Sequence, residues 1–342
     1  MRATDRRRRL AFALSAALAV AGCGGTTTSP TLETAAATLA SVAPATAAPP
    51  SVPPTPALTG LTGRIVFTRA GGSYGDETVY LASIDGSGEQ RLTDFGKSGG
   101  PTPVLHGTKV VIGGAAPDGR FAPVIVDLGD LSRTVVPLPA GDLNLPGGPM
   151  TPDGRFMVSE GFNDAHPDEH AVYRLAVDGS SLKRLTTKVF LVGDISQDGR
   201  QVVLFQGPDG SPPPPGALWV MNIDGSSLRR LTPDGVAVQC CFNYRWSPDG
   251  SKIVFASQDG GLWTIAPNGT GLTEVYTPAA ETWAITPTWS PDGSMILFAL
   301  DPSSDPFQHP ANGLYVIRAD GTGLTLVLGG SDFKREPVWV EG

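Results

Sequence analysis

The chain repeats itself, and that repeat limits what it can fold into. Trp246-Ser-Pro-Asp-Gly-Ser-Lys-Ile-Val-Phe-Ala recurs 43 residues later as Trp289-Ser-Pro-Asp-Gly-Ser-Met-Ile-Leu-Phe-Ala. Weaker copies start at Thr151 and Ser196, and weaker ones still at His106 and Gly63, so six units follow Gly60. The repeat aspartates Asp153, Asp198, Asp249 and Asp292 are spaced 45, 51 and 43 residues apart. The longest interval holds the Gly207-to-Gly216 insertion with its four consecutive prolines. A period of this length belongs to architectures whose units bury their apolar faces only against neighbouring units.

Each copy is followed by a second motif, clearest in Tyr80-Leu-Ala-Ser-Ile-Asp-Gly, Tyr173-Arg-Leu-Ala-Val-Asp-Gly and Trp219-Val-Met-Asn-Ile-Asp-Gly. Trp263-Thr-Ile-Ala-Pro-Asn-Gly and Tyr315-Val-Ile-Arg-Ala-Asp-Gly continue it, and Val124-Ile-Val-Asp-Leu-Gly is a degraded member. Asp-Gly and Asn-Gly supply the positive φ of tight hairpins, while Pro presets φ in the Ser-Pro-Asp-Gly turn. A third run such as Leu228-Arg-Arg-Leu-Thr closes the unit. Four short strands per unit define a propeller blade. Runs like Ile253-Val-Phe-Ala are apolar on both faces, as a sheet held between two neighbours requires. The first unit begins with its second strand at Gly63, and Glu336-Pro-Val-Trp-Val matches the innermost strand Thr286-Pro-Thr-Trp-Ser. The expected fold is therefore all-β: a six-bladed β-propeller over residues 61–342, closed by a C-terminal strand that completes the first blade. Trp246, Trp289 and Trp339 recur with the fold and are read as core.

The x-Pro-x-Trp-Ser-Pro-Asp-Gly-x-x-Ile-x-Phe unit followed by Tyr/Trp-x-x-x-x-Asp-Gly resembles the repeats of the TolB-type propeller family, with WD-like repeats. The resemblance covers residues 61–342 and implies the same six-bladed ring. TolB carries an α/β domain ahead of its propeller, whereas a Thr/Ala/Pro-rich stretch stands at that place here. Related propellers serve prolyl-oligopeptidase-like peptidases, but no α/β-hydrolase pattern accompanies this one, so peptidase activity is not expected. Gly96-Lys-Ser-Gly-Gly100 fits the hydrolase elbow by spelling only, because it lies in a blade connection and not in a strand-to-helix turn.

Ahead of the repeats, Arg2 and Arg6 to Arg9 precede an apolar run from Leu10 to Ala21, too short to span a bilayer. The run ends in Val20-Ala21-Gly22-Cys23, which resembles the processing site of exported bacterial lipoproteins. That resemblance implies removal of residues 1–22 and lipidation of Cys23. Residues 23–60 read as a disordered tether, since Thr, Ala, Pro and Ser with almost no charge and few larger apolar residues cannot offset the entropy of ordering. Loss of residues 1–22 removes five Arg and one Asp from the 25 basic and 33 acidic residues, leaving a net charge of −12. Such a balance disfavours nucleic acid and anionic lipid as partners. The expected location is extracytoplasmic, anchored to the cell or outer membrane by lipid alone.

Strand order places the Pro-Asp-Gly and Asp-Gly hairpins on one face of the ring. The loops between second and third strands, and the blade-to-blade connections, fall on the other. The inter-strand loops are read as long: Ala70 to Thr78, Gly113 to Pro123, Glu160 to His170, Gln206 to Ala217 and Ala299 to Gly313. Variable loops on a rigid frame are where binding residues concentrate. Three groups of candidates lie there. His166, His170 and His309 either converge across the tunnel as metal ligands, as in a related family of pectin-oligosaccharide lyases, or are exposed loop residues. Cys240 and Cys241 form either a strained vicinal disulfide or two small buried residues. Arg245 holds the position that Asp194 holds one blade earlier. The two either line the tunnel entrance or make an ordinary ion pair, with Trp283 in the next connection. The expected role is a monomeric, cofactor-free binding or scaffold module that contacts envelope protein or glycan through the loop-rich face. The alternative is a carbohydrate-active lyase or hydrolase with its site at the tunnel mouth.

Overall fold

The computed structural model describes residues 61–70, 77–92, 102–103, 108–207, 216–240, 243–302 and 312–341. The export signal, Cys23, the tether, the run Gly96 to Gly100, Cys241 and His309 lie outside them.

Blade I holds β1 (Arg64–Ala70), β2 (Glu77–Ser83) and β3 (Gln90–Arg91). Blade II follows with β4 (Thr102–Pro103), β5 (Lys109–Ala115), β6 (Phe121–Asp127) and β7 (Arg133–Val135). Blade III has β8 (Phe156–Gly161), β9 (Ala171–Ala176) and β10 (Leu182–Arg184). Blade IV has β11 (Leu191–Ile195), β12 (Gln201–Gln206), β13 (Ala217–Asn222) and β14 (Arg229–Arg230). Blade V has β15 (Arg245–Trp246), β16 (Ile253–Ala256), β17 (Leu262–Ile265) and β18 (Thr273–Tyr276). Blade VI has β19 (Trp283–Trp289), β20 (Met295–Asp301), β21 (Gly313–Arg318) and β22 (Thr325–Leu328). The last strand, β23 (Phe333–Val340), pairs antiparallel with β1, Arg64 opposite Val340 and Ile65 opposite Trp339, so the C-terminus closes blade I as expected. No helix among the described residues is long and apolar enough to cross a membrane.

The second strand of each blade explains why the ring closes. Successive side chains of a strand point to opposite faces. In β16, Ile253 and Phe255 enter the core against blade IV, while Val254 and Ala256 enter the core against blade VI. In β12, Val203 and Phe205 face blade V, whereas Val202 and Leu204 face blade III. Among the described residues six apolar clusters form, one at each blade-to-blade interface. Each fully buried Val, Leu, Ile or Phe contributes about 1.5–3 kcal/mol. No blade can bury both faces alone, which is why the repeat must close on itself. Trp246, Trp289 and Trp339 are 5%, 6% and 7% exposed, and so belong to this core.

The hairpin face is closed by its own side chains. Oδ1 of Asp292 accepts from the Ser290 hydroxyl (2.6 Å) and the Ser294 N–H (3.0 Å), and the Ser290 hydroxyl accepts from the Met295 N–H (2.9 Å). Asp153, Asp198 and Asp249 repeat the pattern with Thr151, Ser196 and Ser247. Gly250 and Gly293 follow at φ 70° and 71°, the left-handed conformation these turns need. The hydroxyl and N–H donors hold all four carboxyls below the usual carboxylate range, the hydroxyl bond being the largest cause. Ser290→Ala removes both roles of the hydroxyl and is expected to cost about 1–2 kcal/mol. Urea unfolding at pH 7 checks it, and a loss smaller than the fitting error would refute the turn account.

Two expectations need correction. Blade III has three strands among the described residues, its innermost position reduced to two isolated bridges, Asn144 to Phe162 and Met150 to Met157. Pro149 has no N–H to give, and a Cβ on Gly148 would sit 1.9 Å from the Val158 oxygen, so the chain passes too close for a ladder. The loop Gly113 to Pro123 is also shorter than expected. β5 and β6 pair as far as Ala115 opposite Phe121, and the turn between them closes with Ala116 N–H on Arg120 O (2.8 Å).

Candidate functional site

His166 is exposed and precedes a 3-10 turn, Pro167–Glu169. That loop satisfies itself: the Asn163 amide donates to Glu169 Oε2 (2.9 Å), the Tyr173 hydroxyl to Glu169 O (2.7 Å), and Arg184 to Asp168 O (2.6 Å). His170 is half-buried, its ring edge-on to Phe162 at 6.4 Å, and burial pushes its pKa down. His309 lies outside the described residues. Among the described residues no three His, Cys, Asp or Glu side chains gather in a way that could hold a metal ion.

Cys240 is buried at 2% exposure in the core between blades IV and V and is disulfide-bonded. Cys241 lies outside the described residues. Nearby, Tyr244 stacks on Phe205 (5.6 Å, 10°) and donates to Gln239 O (2.9 Å).

Arg245 and Asp194 come within electrostatic reach of each other, inside the protein. They are 4% and 1% exposed. The Arg245 guanidinium donates to Gly193 O (2.7 Å). The Ile195 N–H donates to Asp194 Oδ1 (2.9 Å), and the Trp246 N–H to Oδ2 (3.1 Å). Burial pushes the Asp194 carboxyl up to about 6, against the pull of the Arg245 charge and those two donors. Burial pushes Arg245 down, opposed by Asp194 and by Glu336 of β23. Charge on the innermost strands of blades IV, V and I is thus neutralised internally. This is a clamp between blades rather than an open site.

Trp283 has a different setting. It is half-buried at the start of β19 and lines a cleft of about 360 Å³ with Asp259, Glu274, Glu281 and Thr277. The connection into blade VI forms the rim, with the Thr282 hydroxyl donating to Ala279 O (2.6 Å) and Glu281 held at φ 61°. A second cleft of about 390 Å³ lies between the connection into blade V and the end of β16, lined by Val236, Gln258, Asp259, Trp263 and Leu272. A third, also about 390 Å³, lies on the other side of that connection, lined by Gln206, Trp219, Arg230 and Val236. The connection between them is anchored on both sides. Val238 exchanges hydrogen bonds with Gly216, Gln239 N–H donates to Ala256 O (3.0 Å), and Gln258 N–H donates to Ala237 O (2.9 Å).

All three clefts open on the face of the loops and connections, which strand order predicted as the variable one. Trp283 was legible there. Trp219 and Trp263 were legible only as repeat aromatics of the third strand, and Gln258 and Asp259 carried no signal. What distinguishes the cleft tryptophans from Trp246, Trp289 and Trp339 is that they are half-buried instead of buried.

No protein-family model matches the chain, and no curated protein matches it. Solved structures do match. TolB from Acinetobacter baumannii superposes with a TM-score of 0.63 at 19% identity, over 81% of this chain and 66% of that one. The chain therefore spans just under two thirds of that protein's length. A protein from Agrobacterium tumefaciens described as TolB gives 0.58 at 16% identity, over 83% and 100%. An oligogalacturonate lyase from Vibrio parahaemolyticus gives 0.51 at 15%, over 77% and 79%. Similarity at these identities speaks for the fold. The chain is a six-bladed β-propeller, the fold it shares with these structures.

Proposed function

We propose that this protein is a binding module, not a catalyst, and that it engages envelope components through the face of loops and connections. The observation that carries this reading is the contrast between the two faces. The hairpin face spends its carboxylates on its own turns, while the opposite face presents three clefts, each with a half-buried tryptophan. Fold alone does not assign activity, so the reading rests on that surface. Asp194 and Arg245, both shifted by burial, serve the blade clamp, and the loop of His166 and His170 is bonded to itself, so among the described residues neither group opens on these three clefts.

In the same reading the chain is an exported lipoprotein, processed before Cys23 and held outside the cytoplasm as a monomer on a flexible tether of residues 23–60. Two or three acyl chains support stable anchoring, at about 0.8 kcal/mol per buried CH₂. The test uses the full chain in a bacterial envelope, with a photo-crosslinking residue at exposed Thr277 or, on the opposite face, at exposed Lys252. Cross-links to envelope protein or glycan are expected from position 277 and not from 252. Equal yields from both positions, or none, would overturn the reading. Cys23→Ser is expected to release the protein in soluble form, and its retention in the membrane would refute the anchor.

A further inference from the structure

The three clefts are neighbours. The middle one shares Gly235, Val236 and Ala237 with the cleft of Trp219, and shares Asp259 with the cleft of Trp283. They form one groove crossing blades IV, V and VI, with a half-buried indole in each compartment. The connection that stands between the Trp219 and Trp263 compartments is pinned by the hydrogen bonds of Val238, Gln239 and Gln258, so the shape there is largely set before anything binds, which lowers the cost of association.

The chemistry of the walls selects a ligand. Indole rings offer flat apolar surface with a polar edge. Between them stand the exposed carboxylates Asp259, Glu274 and Glu281; Asp259 Oδ1 already accepts from the Ser257 hydroxyl and Glu274 Oε1 from the Thr277 hydroxyl, and the second oxygen of each can accept from a ligand hydroxyl. Two further polar atoms in the wall of the middle cleft have no hydrogen-bond partner within the protein: the Trp263 indole N–H and Gln258 Oε1. An unpaired, shielded polar atom costs about 1–3 kcal/mol, and a hydroxyl-bearing ligand relieves that cost once the half-buried Gln258 and Trp263 side chains turn toward it. Alternating apolar ring faces and hydroxyl partners match a chain of sugar rings, which are apolar on their faces and hydroxylated at their edges. The sign of charge narrows the class. Three carboxylates line the groove against one cation, Arg230, and that cation is already paired with Asp234. A polyuronate would meet repulsion along the groove, and a neutral chain would not. A protein partner would need a broad surface of about 800 Å² instead of a run of clefts.

We propose that the groove binds a neutral oligosaccharide, with Trp263, Gln258 and Asp259 at its centre and Trp219 and Trp283 at its two ends. This rests on the reading of this face as the binding surface. The test is calorimetry and tryptophan fluorescence of the full chain with chitotetraose, cellotetraose and tetragalacturonate. Chitotetraose represents the N-acetylated backbones found in cell envelopes, and cellotetraose the unsubstituted glucans. Binding of at least one neutral tetrasaccharide is expected, with an indole fluorescence change and no binding of tetragalacturonate. Trp263→Phe keeps a smaller aromatic ring and loses the N–H, and Gln258→Leu removes the acceptor; each is expected to weaken binding at least about tenfold, the equivalent of one hydrogen bond. Gln258→Leu alters a half-buried loop residue outside the strands, so it decides the matter if Trp263→Phe folds poorly. Three results would overturn the proposal: no neutral tetrasaccharide bound at about 10 mM (weaker than the millimolar end of affinities), affinity unchanged in Gln258→Leu, or preference for tetragalacturonate. If sugars fail while position 277 still cross-links to an envelope protein, this inference falls and the binding-face reading stands.

Discussion

Arg245→Met is expected to destabilise the propeller by about 3–5 kcal/mol at pH 7, because it strands a buried carboxylate. Asp194 is 1% exposed, and the Arg245 charge is the largest influence opposing the desolvation of its carboxyl. Without the guanidinium, the two N–H donors from Ile195 and Trp246 remain but the compensating charge is gone. The deficit should depend on pH, and its sign follows from linkage. A carboxyl whose folded pKa is raised contributes stability that is present below its unfolded pKa and lost as pH rises through the folded value. For Asp194 that window runs from 3.8 to about 6 with Arg245 in place. It extends higher once Arg245 is removed. The loss caused by Arg245→Met should therefore be larger at pH 8 than at pH 5, where Asp194 takes up a proton. The double variant Asp194→Asn with Arg245→Met should recover most of it, since replacing a buried pair outright is often close to neutral. Urea titrations of the single and double variants at both pH values measure all of this. Equal deficits at pH 5 and pH 8 would mean that Arg245 acts by packing alone.

Glu160→Gln should move stability the other way. Glu160 stands near the end of β8, and its Oε1 accepts from the Val192 N–H of the next blade (2.9 Å). Burial pushes its carboxyl up to about 7 from 4.5, the Val192 bond opposing weakly. The ionised form is the one the fold disfavours, so the wild-type chain loses stability as pH rises from 4.5 through about 7. A shift of that size corresponds to about 3 kcal/mol between the ends of the window. Gln keeps the acceptor for Val192 and has nothing to ionise. The variant is expected to match the wild type's slope no longer, gaining about 3 kcal/mol on it between pH 4 and pH 8. Thermal unfolding across that range gives the difference directly. Parallel curves would show that Glu160 reaches water in the folded state.

The two groups behind these effects differ in how far they could be anticipated. Asp194 and Arg245 hold matching repeat positions one blade apart, so their juxtaposition was visible in the spacing; their burial was not. Glu160 was visible only as the first residue of a loop. Its environment is set by Val192 of another blade, 32 positions away. The histidines show the same limit. His166 and His170 lie where spacing placed them, but whether a loop offers ligands or bonds to itself depends on contacts such as Asn163 to Glu169.

What the sequence by itself determined is whatever repeats. The turn chemistry of Ser290, Asp292 and Gly293, the two-faced strands around Ile253 and Ile296, the buried Trp246, Trp289 and Trp339, and the closing strand at Glu336 are all specified by local pattern and a period. The similarity of Glu336-Pro to Thr286-Pro extends to the backbone: Glu336 and Thr286 sit at φ 53° and 52° in register shifts of their strands, and the Glu336 N–H donates to Thr286 Oγ1 (3.1 Å). What only the tertiary structure decided is whatever does not repeat. The connection through Val236 and Val238 has no equivalent copy, and it becomes the wall between two clefts because it bridges strand ends of two blades at Gly216 and Ser257. The inner strand of blade III is broken into two bridges where Gly148 and Pro149 meet Val158. Periodicity reports the interactions that every blade makes, whereas a site is assembled from segments that differ between blades, and their positions depend on neighbours distant in sequence.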